Sequence, residues 1–395
     1  MSAPAVTSEQ WVRPDYSGGG IVNLMASVTV ARGGGRSTYP LLEGLDAEVL
    51  ARPRTLVLLV IDGLGLRHVL RSSAAPCIRE HLRGRMTSVF PSTTAAAIPT
   101  FLTALAPQQH GLTGWHMLFR EVGTVAAVLP FRPRCGGRSL REGGVTPQLL
   151  LGLSPLYDRL TDRSWVIAPE RIVHTDFNAA ASGRAERVGY RTLDELAERV
   201  LAAAVMPARK FVYAYYPELD SLAHVHGIGS NEVQAELARI DGAFDSLVRA
   251  LRGTDTTLVL TADHGFVDTT PETRVALQDH PELAAMLTLP LCGEPRVAYC
   301  YVEPERVRDF EHYAATRLAA GFTLVRSRDL IEEGWFGPGD PHPRLAERVG
   351  HYVLLGRDNW TLTDLALGER PHVQIGVHGG ATADEMLVPL VVAPA

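Results

Sequence analysis

The sequence predicts an α/β protein: a doubly wound, mostly parallel sheet flanked by helices, with an inserted α+β cap. Three observations predict it. Apolar runs at Thr55–Ile61, Phe211–Tyr216 and Thr257–Thr261 are too short for buried helices. They lack the alternation of half-exposed strands, so they read as strands buried on both faces. Segments of helical periodicity alternate with them, which is the order of a parallel sheet. The runs also end at Asp62, at Asp220 and at Asp263-His264, and open α/β sheets place their chemistry just beyond the carboxyl ends of strands.

The elements follow in order. Residues 1–54 begin loosely, punctuated by Gly18–Gly20 and Gly33–Gly35. Ile21–Val30 reads as an apolar strand or a short helix. Thr55–Ile61 is the clearest strand, apolar and partly β-branched. It ends at Asp62-Gly63-Leu64-Gly65, and a helix-like segment follows from Leu66 to His81. Met86–Phe90 reads as a strand closed by Pro91. Ser92, Thr93 and Thr94 then precede an alanine run, which is N-cap chemistry for a helix. Residues 115–160 are rich in Gly, Pro and Arg and read as loops with short elements. Ser164–Ala168 is a strand and Leu193–Ala204 a helix. Lys210–Tyr216 leads to Pro217-Glu218-Leu219-Asp220. A helix from Asn231 to Arg252 follows, with Val233, Leu237, Ile240, Phe244 and Leu247 on one face. Residues 269–372 change texture, with strands at Arg296–Val302 and His351–Leu355 and a helix at Glu305–Ala320. They read as the inserted cap, leaving a core of 1–268 and 373–395. Leu387–Val392 is a last apolar strand.

Bulk properties narrow the function classes. The chain has 395 residues, 46% hydrophobic and 21% charged, as expected of a soluble globular protein. A net charge of -6 offers no basic face for a nucleic-acid polymer. Lys210 is the sole lysine, so a lysine phosphate clamp or Schiff base has one candidate. Cys77, Cys135, Cys292 and Cys300 are widely spaced, which speaks against a disulfide framework and a cysteine zinc site. No apolar stretch approaches a membrane span. Met1–Gln10 lacks the basic and apolar regions of a signal peptide, so the expected location is the cytoplasm.

Metal-type ligands recur at the strand ends: Asp62, Asp220 with His224, Asp263 with His264, and His378 in the last loop. Asp220 and His224 are four apart, so on a helix they face the same way. Taken singly, Asp62 reads equally as a helix cap, His224 as a packed histidine and His378 as a loop residue. Together, three aspartates and three histidines are what two zinc ions need, with manganese or iron as alternatives. A hydroxyl where the alanine-rich helix begins supplies a nucleophile, and the free N–H groups there suit a phosphate oxygen. Thr94 is the candidate, with Ser92 and Thr93 as neighbours. Without the metal ligands these residues would read as a simple N-cap.

These motifs resemble the alkaline phosphatase superfamily, in particular its nucleotide pyrophosphatase and type I phosphodiesterase branch. The branch pattern is matched by Val60-Ile61-Asp62-Gly63, by Phe90-Pro91-Ser92-Thr93-Thr94, and by Thr103 to Gly111 with Ala104 where the family has Gly. Thr94 and Thr103 are nine apart, the family register, which selects Thr94 over Thr93. Glu218 to Gly227 matches the family's Pro-Asp-x-x-Gly-His more loosely. Asp263-His264-Gly265 and His378-Gly379 follow in the family order, so the resemblance spans about residues 55 to 392.

The resemblance implies two zinc ions about 4 Å apart. Asp220, His224 and His378 would hold one, and Asp62, Asp263, His264 and the Thr94 oxygen the other. It implies in-line attack by Thr94 on a small-molecule phosphate ester and a phospho-threonine intermediate. One departure matters. The branch usually carries Pro-Asn just after the nucleophile, and that Asn holds a phosphoryl oxygen; here the positions are Ala96 and Ala97. Diester and monoester substrates therefore both stay open. A phosphomonoesterase or phosphonate hydrolase would use the same metals with a cationic clamp, for which Arg120, Arg132, Arg134 and Arg296 are candidates. A metal-dependent phosphomutase shares the fold. His110 reads as structural and His226 as a substrate contact. The sulfatase signature is absent around Thr94, and a degenerate binding module is disfavoured because every ligand position is intact.

Overall fold

The computed structural model describes residues 11–394, so the Met1–Gln10 stretch lies outside the described residues. The strands of its two large sheets are, in chain order, β1 (Thr55–Ile61), β2 (Leu82–Thr87), β3 (His116–Phe119), β4 (Thr124–Ala127), β5 (Arg132–Pro133), β6 (Arg163–Pro169), β7 (Glu186–Tyr190), β8 (Lys210–Tyr216), β9 (Thr256–Thr261), β10 (Cys292–Glu294), β11 (Val297–Cys300), β12 (Phe322–Arg326), β13 (Tyr352–Gly356) and β14 (Leu387–Pro394). The helices that matter below are α1 (Ile21–Ala31), α2 (Thr94–Thr103), α3 (Leu193–Val205), α4 (Glu218–His226) and α5 (Asn231–Leu251).

The main sheet has the order β2-β14-β9-β1-β8-β6-β7. From β9 to β7 neighbours pair in parallel. β14 pairs antiparallel with both β9 and β2, so the sheet is mixed but mostly parallel. Every residue of β1, β8 and β9 is buried, as strands covered by helices on both faces must be. α5 covers the sheet with Val233, Leu237, Ile240, Phe244 and Leu247, all buried, and the Ser230 hydroxyl caps its start by accepting from the Val233 N–H. Ile21–Ala31 is a helix rather than a strand. The 66–81 segment is two helices, Leu66–Arg71 and Pro76–Glu80, because Pro76 can start a helix but not continue one. The strand expected at Met86–Phe90 lies earlier, at Leu82–Thr87.

The second sheet is antiparallel throughout, with the order β12-β13-β11-β10-β3-β4-β5. It joins strands of the 269–372 segment to β3, β4 and β5, from a stretch that sequence reading treated as loops. Its pleat divides two small cores. Val297, Tyr299 and Tyr301 pack on one face with Trp335 and Phe336. Ala298, Cys300 and Val302 face Phe310 and Leu318 on the other. All four cysteines are free. Among the described residues no helix is long and apolar enough to cross a membrane.

A buried ion pair ties the two sheets together. The Arg296 guanidinium, just past β10, donates to both carboxylate oxygens of Glu385, just before β14, at 3.0 Å each. Both side chains are fully buried. Arg296 also donates to the carbonyls of Arg357, Asp358 and Trp360. Glu385 further accepts from the Gly380 N–H at 2.7 Å. Removing one partner leaves a buried charge unpaired. Arg296→Met is expected to lower stability by about 3–5 kcal/mol, read by urea unfolding. Arg296→Met with Glu385→Leu is expected to recover part of that loss.

Candidate metal centre

β9, β1 and β8 are neighbours in the middle of the main sheet and end at the same edge. Val60 lies opposite Thr261 and Ile61 opposite Tyr216, so the residues just beyond are brought into one region. Asp62 follows β1. Asp263 and His264 follow β9. β8 runs through Pro217 into α4, which carries Asp220 and His224 one turn apart. His378 arrives from much later in the chain, on a short ribbon in which Gly376–Val377 pairs with Val267–Asp268.

Two clusters result. In one, His224 Nε2 and His378 Nε2 lie 3.4 and 3.7 Å from Asp220 Oδ1. In the other, His264 Nε2 lies 3.3 Å from Asp62 Oδ1 and 3.5 Å from Asp263 Oδ2. Within each cluster the three ligand-type atoms lie within 4.8 Å of one another. The clusters meet where the His264 and His378 rings stack, 3.7 Å between centroids. Thr94 opens α2, and its Oγ1 lies 3.1 Å from His264 Nε2 and 3.5 Å from Asp62 Oδ1. All seven residues singled out from the sequence therefore meet in one place. The Ser92 and Thr93 hydroxyls are held by other partners, donating to the Gly380 carbonyl and to Glu294, each at 2.7 Å.

Hydrogen bonds turn each ligand atom inward. The Nδ1 atoms of His224, His264 and His378 lie 2.9, 3.2 and 3.3 Å from the carbonyls of Gly376, Gly265 and Ser92. A carbonyl only accepts, so Nδ1 holds the proton and the Nε2 lone pair faces the cluster. Asp263 Oδ1 accepts from the Gly63 and His264 N–H groups at 3.1 and 3.0 Å, leaving Oδ2 to the cluster. The Tyr215 hydroxyl donates to Asp62 Oδ2, leaving Oδ1 free in the same way. Gly265 has to be glycine, because a Cβ there would run into the Asp384 carbonyl oxygen and come 2.8 Å from the Gly65 Cα.

The site is electrostatically incomplete on its own. Burial pushes the Asp62 carboxyl up to about 6. Burial and then the Asp62 charge push Asp263 up to about 8. Asp220 is driven well above the usual range by burial, then by Asp62, Asp263 and Glu294. Burial also holds the imidazoles neutral, lowering His224 to about 4 and His378 well below its usual range. Asp263 Oδ2 and Asp220 Oδ1, one in each cluster, are buried with no hydrogen-bond partner. Clustered carboxylates, inward lone pairs of neutral imidazoles and an orphaned oxygen in each group fit a pair of divalent cations.

Sequence reading missed Tyr215 and Glu294. Tyr215 sits in an aromatic strand where its hydroxyl has no local signature. Glu294 comes from the second sheet and reaches the site only through tertiary packing. The candidate clamps resolve differently. Arg296 is bound to Glu385 as described, and Arg134 pairs with Asp364 and Glu369. Arg120 and Arg132 are exposed. His110 is buried, with Nε2 3.2 Å from the Thr100 hydroxyl and Nδ1 accepting from the Leu112 N–H, a packing role. His226 is half-exposed at the end of α4.

Comparison with solved structures places the fold. Murine ectonucleotide pyrophosphatase/phosphodiesterase 5 superposes with a TM-score of 0.64 at 16% identity, over 85% of this chain and 87% of that one. The human protein of the same name gives 0.63 at 17% identity, over 85% and 87%. Phosphonoacetate hydrolase from Sinorhizobium meliloti 1021 gives 0.61 at 18% identity, over 87% and 90%. No curated protein sequence matches the chain. The sequence profile of the type I phosphodiesterase / nucleotide pyrophosphatase family matches residues 56–381. The chain thus belongs to that family and is a phosphoester hydrolase.

Proposed function

We propose that the chain hydrolyses phosphodiester or pyrophosphate bonds in small molecules, with Thr94 as nucleophile and two divalent ions, most readily zinc. The observation that supports this most is the Thr94 hydroxyl, 3.1 Å from His264 Nε2 and beside a cluster whose Asp263 Oδ2 is buried without a partner. Asp220, His224 and His378 would hold one ion and Asp62, Asp263, His264 and the Thr94 oxygen the other. When bound, such ions lower the pKa of the attacking hydroxyl and offset charge on the leaving oxygen.

This chain's residues do the rest. Thr94 gives up its proton to solvent, Oγ1 bonds to phosphorus, and the opposite oxygen leaves with the bonding pair and takes a proton from water. Water then attacks phosphorus, the bond from phosphorus to Oγ1 breaks, and Oγ1 regains a proton. Ala96 and Ala97 follow Thr94-Ala95, so no side chain there can hold a phosphoryl oxygen. The N–H groups of Thr94 and Ala95 take that role here: neither has an acceptor among the described residues, while those of Ala96 and Ala97 bond the Thr93 carbonyl. The second sheet acts as the cap that bounds the pocket.

A diester is favoured over a monoester because the site offers no cationic clamp. Among the described residues no arginine or lysine pairs with the six ligands, and Arg134 and Arg296 are spent on structural pairs. A murine relative with this fold is known in complex with AMP as an inactive variant, which is in keeping with a nucleotide-like substrate.

Three measurements test the proposal. Zinc-loaded protein should prefer bis-p-nitrophenyl phosphate to p-nitrophenyl phosphate. Thr94→Ala should lower that rate by on the order of 10³-fold or more while keeping its metal content. Monoester preference, or activity that survives Thr94→Ala, would overturn the reading. Dialysis against a chelator should abolish activity and zinc should restore it, with about two ions bound per chain; His378→Ala and His264→Ala should each lose about one of them. Tyr215→Phe should weaken zinc affinity or turnover by roughly 10–100-fold, since Asp62 Oδ2 loses its donor; unchanged titrations would remove Tyr215 from the site.

A further inference from the structure

Glu294 is a buried carboxylate with no cationic partner among the described residues. It ends β10 and is 8% exposed. Its Oε1 accepts from the Thr93 hydroxyl and from the Trp115 N–H, each at 2.7 Å. Its Oε2 has no hydrogen-bond partner among the described residues. Two neutral donors offset only part of the cost of burying a charge, and burial pushes the Glu294 carboxyl up to about 7, so its charge is fully present only above that pH. Packing alone gives no reason for a carboxylate here.

Its neighbours belong to the metal centre. Thr93 directly precedes Thr94. Gly379 directly follows His378 and lies so close that a Cβ on it would come 2.8 Å from Glu294 Cβ. Glu294 is therefore flanked by the residue before the attacking hydroxyl and the residue after a proposed ligand. Its charge is close enough to help raise the Asp220 carboxyl. It also touches the start of α2. Thr93 occupies the N-cap position, where its hydroxyl donates to Glu294 and makes no cap bond. The N–H groups of Thr94 and Ala95 have no acceptor among the described residues.

We propose that Glu294 is a specificity-determining residue, whose carboxylate beside Thr94 admits monoanionic phosphodiesters and rejects dianionic phosphomonoesters. This rests on the Thr94 hydrolase reading above. A phosphodiester brings one charge to the pocket. A monoester brings close to two at neutral pH. An added like charge near an ionised carboxylate, in a partly buried site, changes binding by roughly tenfold or more.

The test is Glu294→Gln. The amide keeps an acceptor oxygen for Thr93 and Trp115, so the local fold stands while the charge goes. kcat/KM is measured for bis-p-nitrophenyl phosphate and p-nitrophenyl phosphate, together with inhibition by inorganic phosphate, in wild type and variant. The monoester-to-diester ratio should rise about tenfold or more, and phosphate should inhibit more tightly by a similar factor. Structural damage lowers both activities and does not produce a selective gain. An unmoved ratio with unmoved phosphate inhibition overturns the role of Glu294. If wild type shows no diester preference, the hydrolase reading beneath it fails instead.

Discussion

The structure depends on confining three carboxylates and three imidazoles to one buried volume at the ends of three adjacent strands. Burial alone would drive Asp62, Asp220 and Asp263 toward their neutral forms, the Asp62 charge makes Asp263 harder to ionise, and Asp62 and Asp263 together do the same to Asp220. Among the described residues no arginine or lysine pairs with them to relieve this. It uses backbone N–H groups and the Tyr215 hydroxyl to hold one oxygen of Asp263 and of Asp62, and backbone carbonyls to hold the far nitrogen of every histidine. What is left is a set of inward acceptors with no donors among them, which suits small divalent cations and little else.

That constraint explains features that otherwise look unrelated. The glycines beside the ligands allow close backbone approach: Gly265 passes Gly65 and the Asp384 carbonyl with no room for a side chain. The Arg296–Glu385 pair joins the second sheet to the start of β14, and Glu385 also accepts from the Gly380 N–H, two residues after His378. The ion pair thus holds the loop that delivers the most distant of the proposed ligands. Its guanidinium is fully committed to that work, which is why Arg296 has nothing left to offer an anionic substrate.

Much of the central architecture was legible in the sequence. β1, β8 and β9 are continuous apolar runs because helices cover them on both faces, and such runs leave little ambiguity. Asp62, Asp263 and His264 sit just past those strand ends and Asp220 and His224 on the helix that follows β8, so their grouping follows from the order of a parallel sheet, while His378 joins them from a separate ribbon. Other elements were not legible. β3, β4 and β5 are two to four residues long and lie in a stretch rich in Gly, Pro and Arg; β3 joins the sheet by pairing with β10, far away in the chain, and β4 and β5 add to it in turn. The break between Leu66–Arg71 and Pro76–Glu80 and the earlier position of β2 likewise reflect tertiary packing more than local pattern.

The sequence by itself determined the fold class, the family and the set of residues that meet at the candidate metal centre, because each of these is encoded by short runs and motifs tied to strand ends. Only the tertiary structure decided which polar groups remain free there. It assigned Arg134 and Arg296 to buried ion pairs, turned Thr93 away from its helix toward Glu294, and brought Tyr215 onto Asp62. The physical reason is that the availability of a charged or hydroxyl group is set by its partners, and these partners come from segments up to about two hundred residues away in the chain.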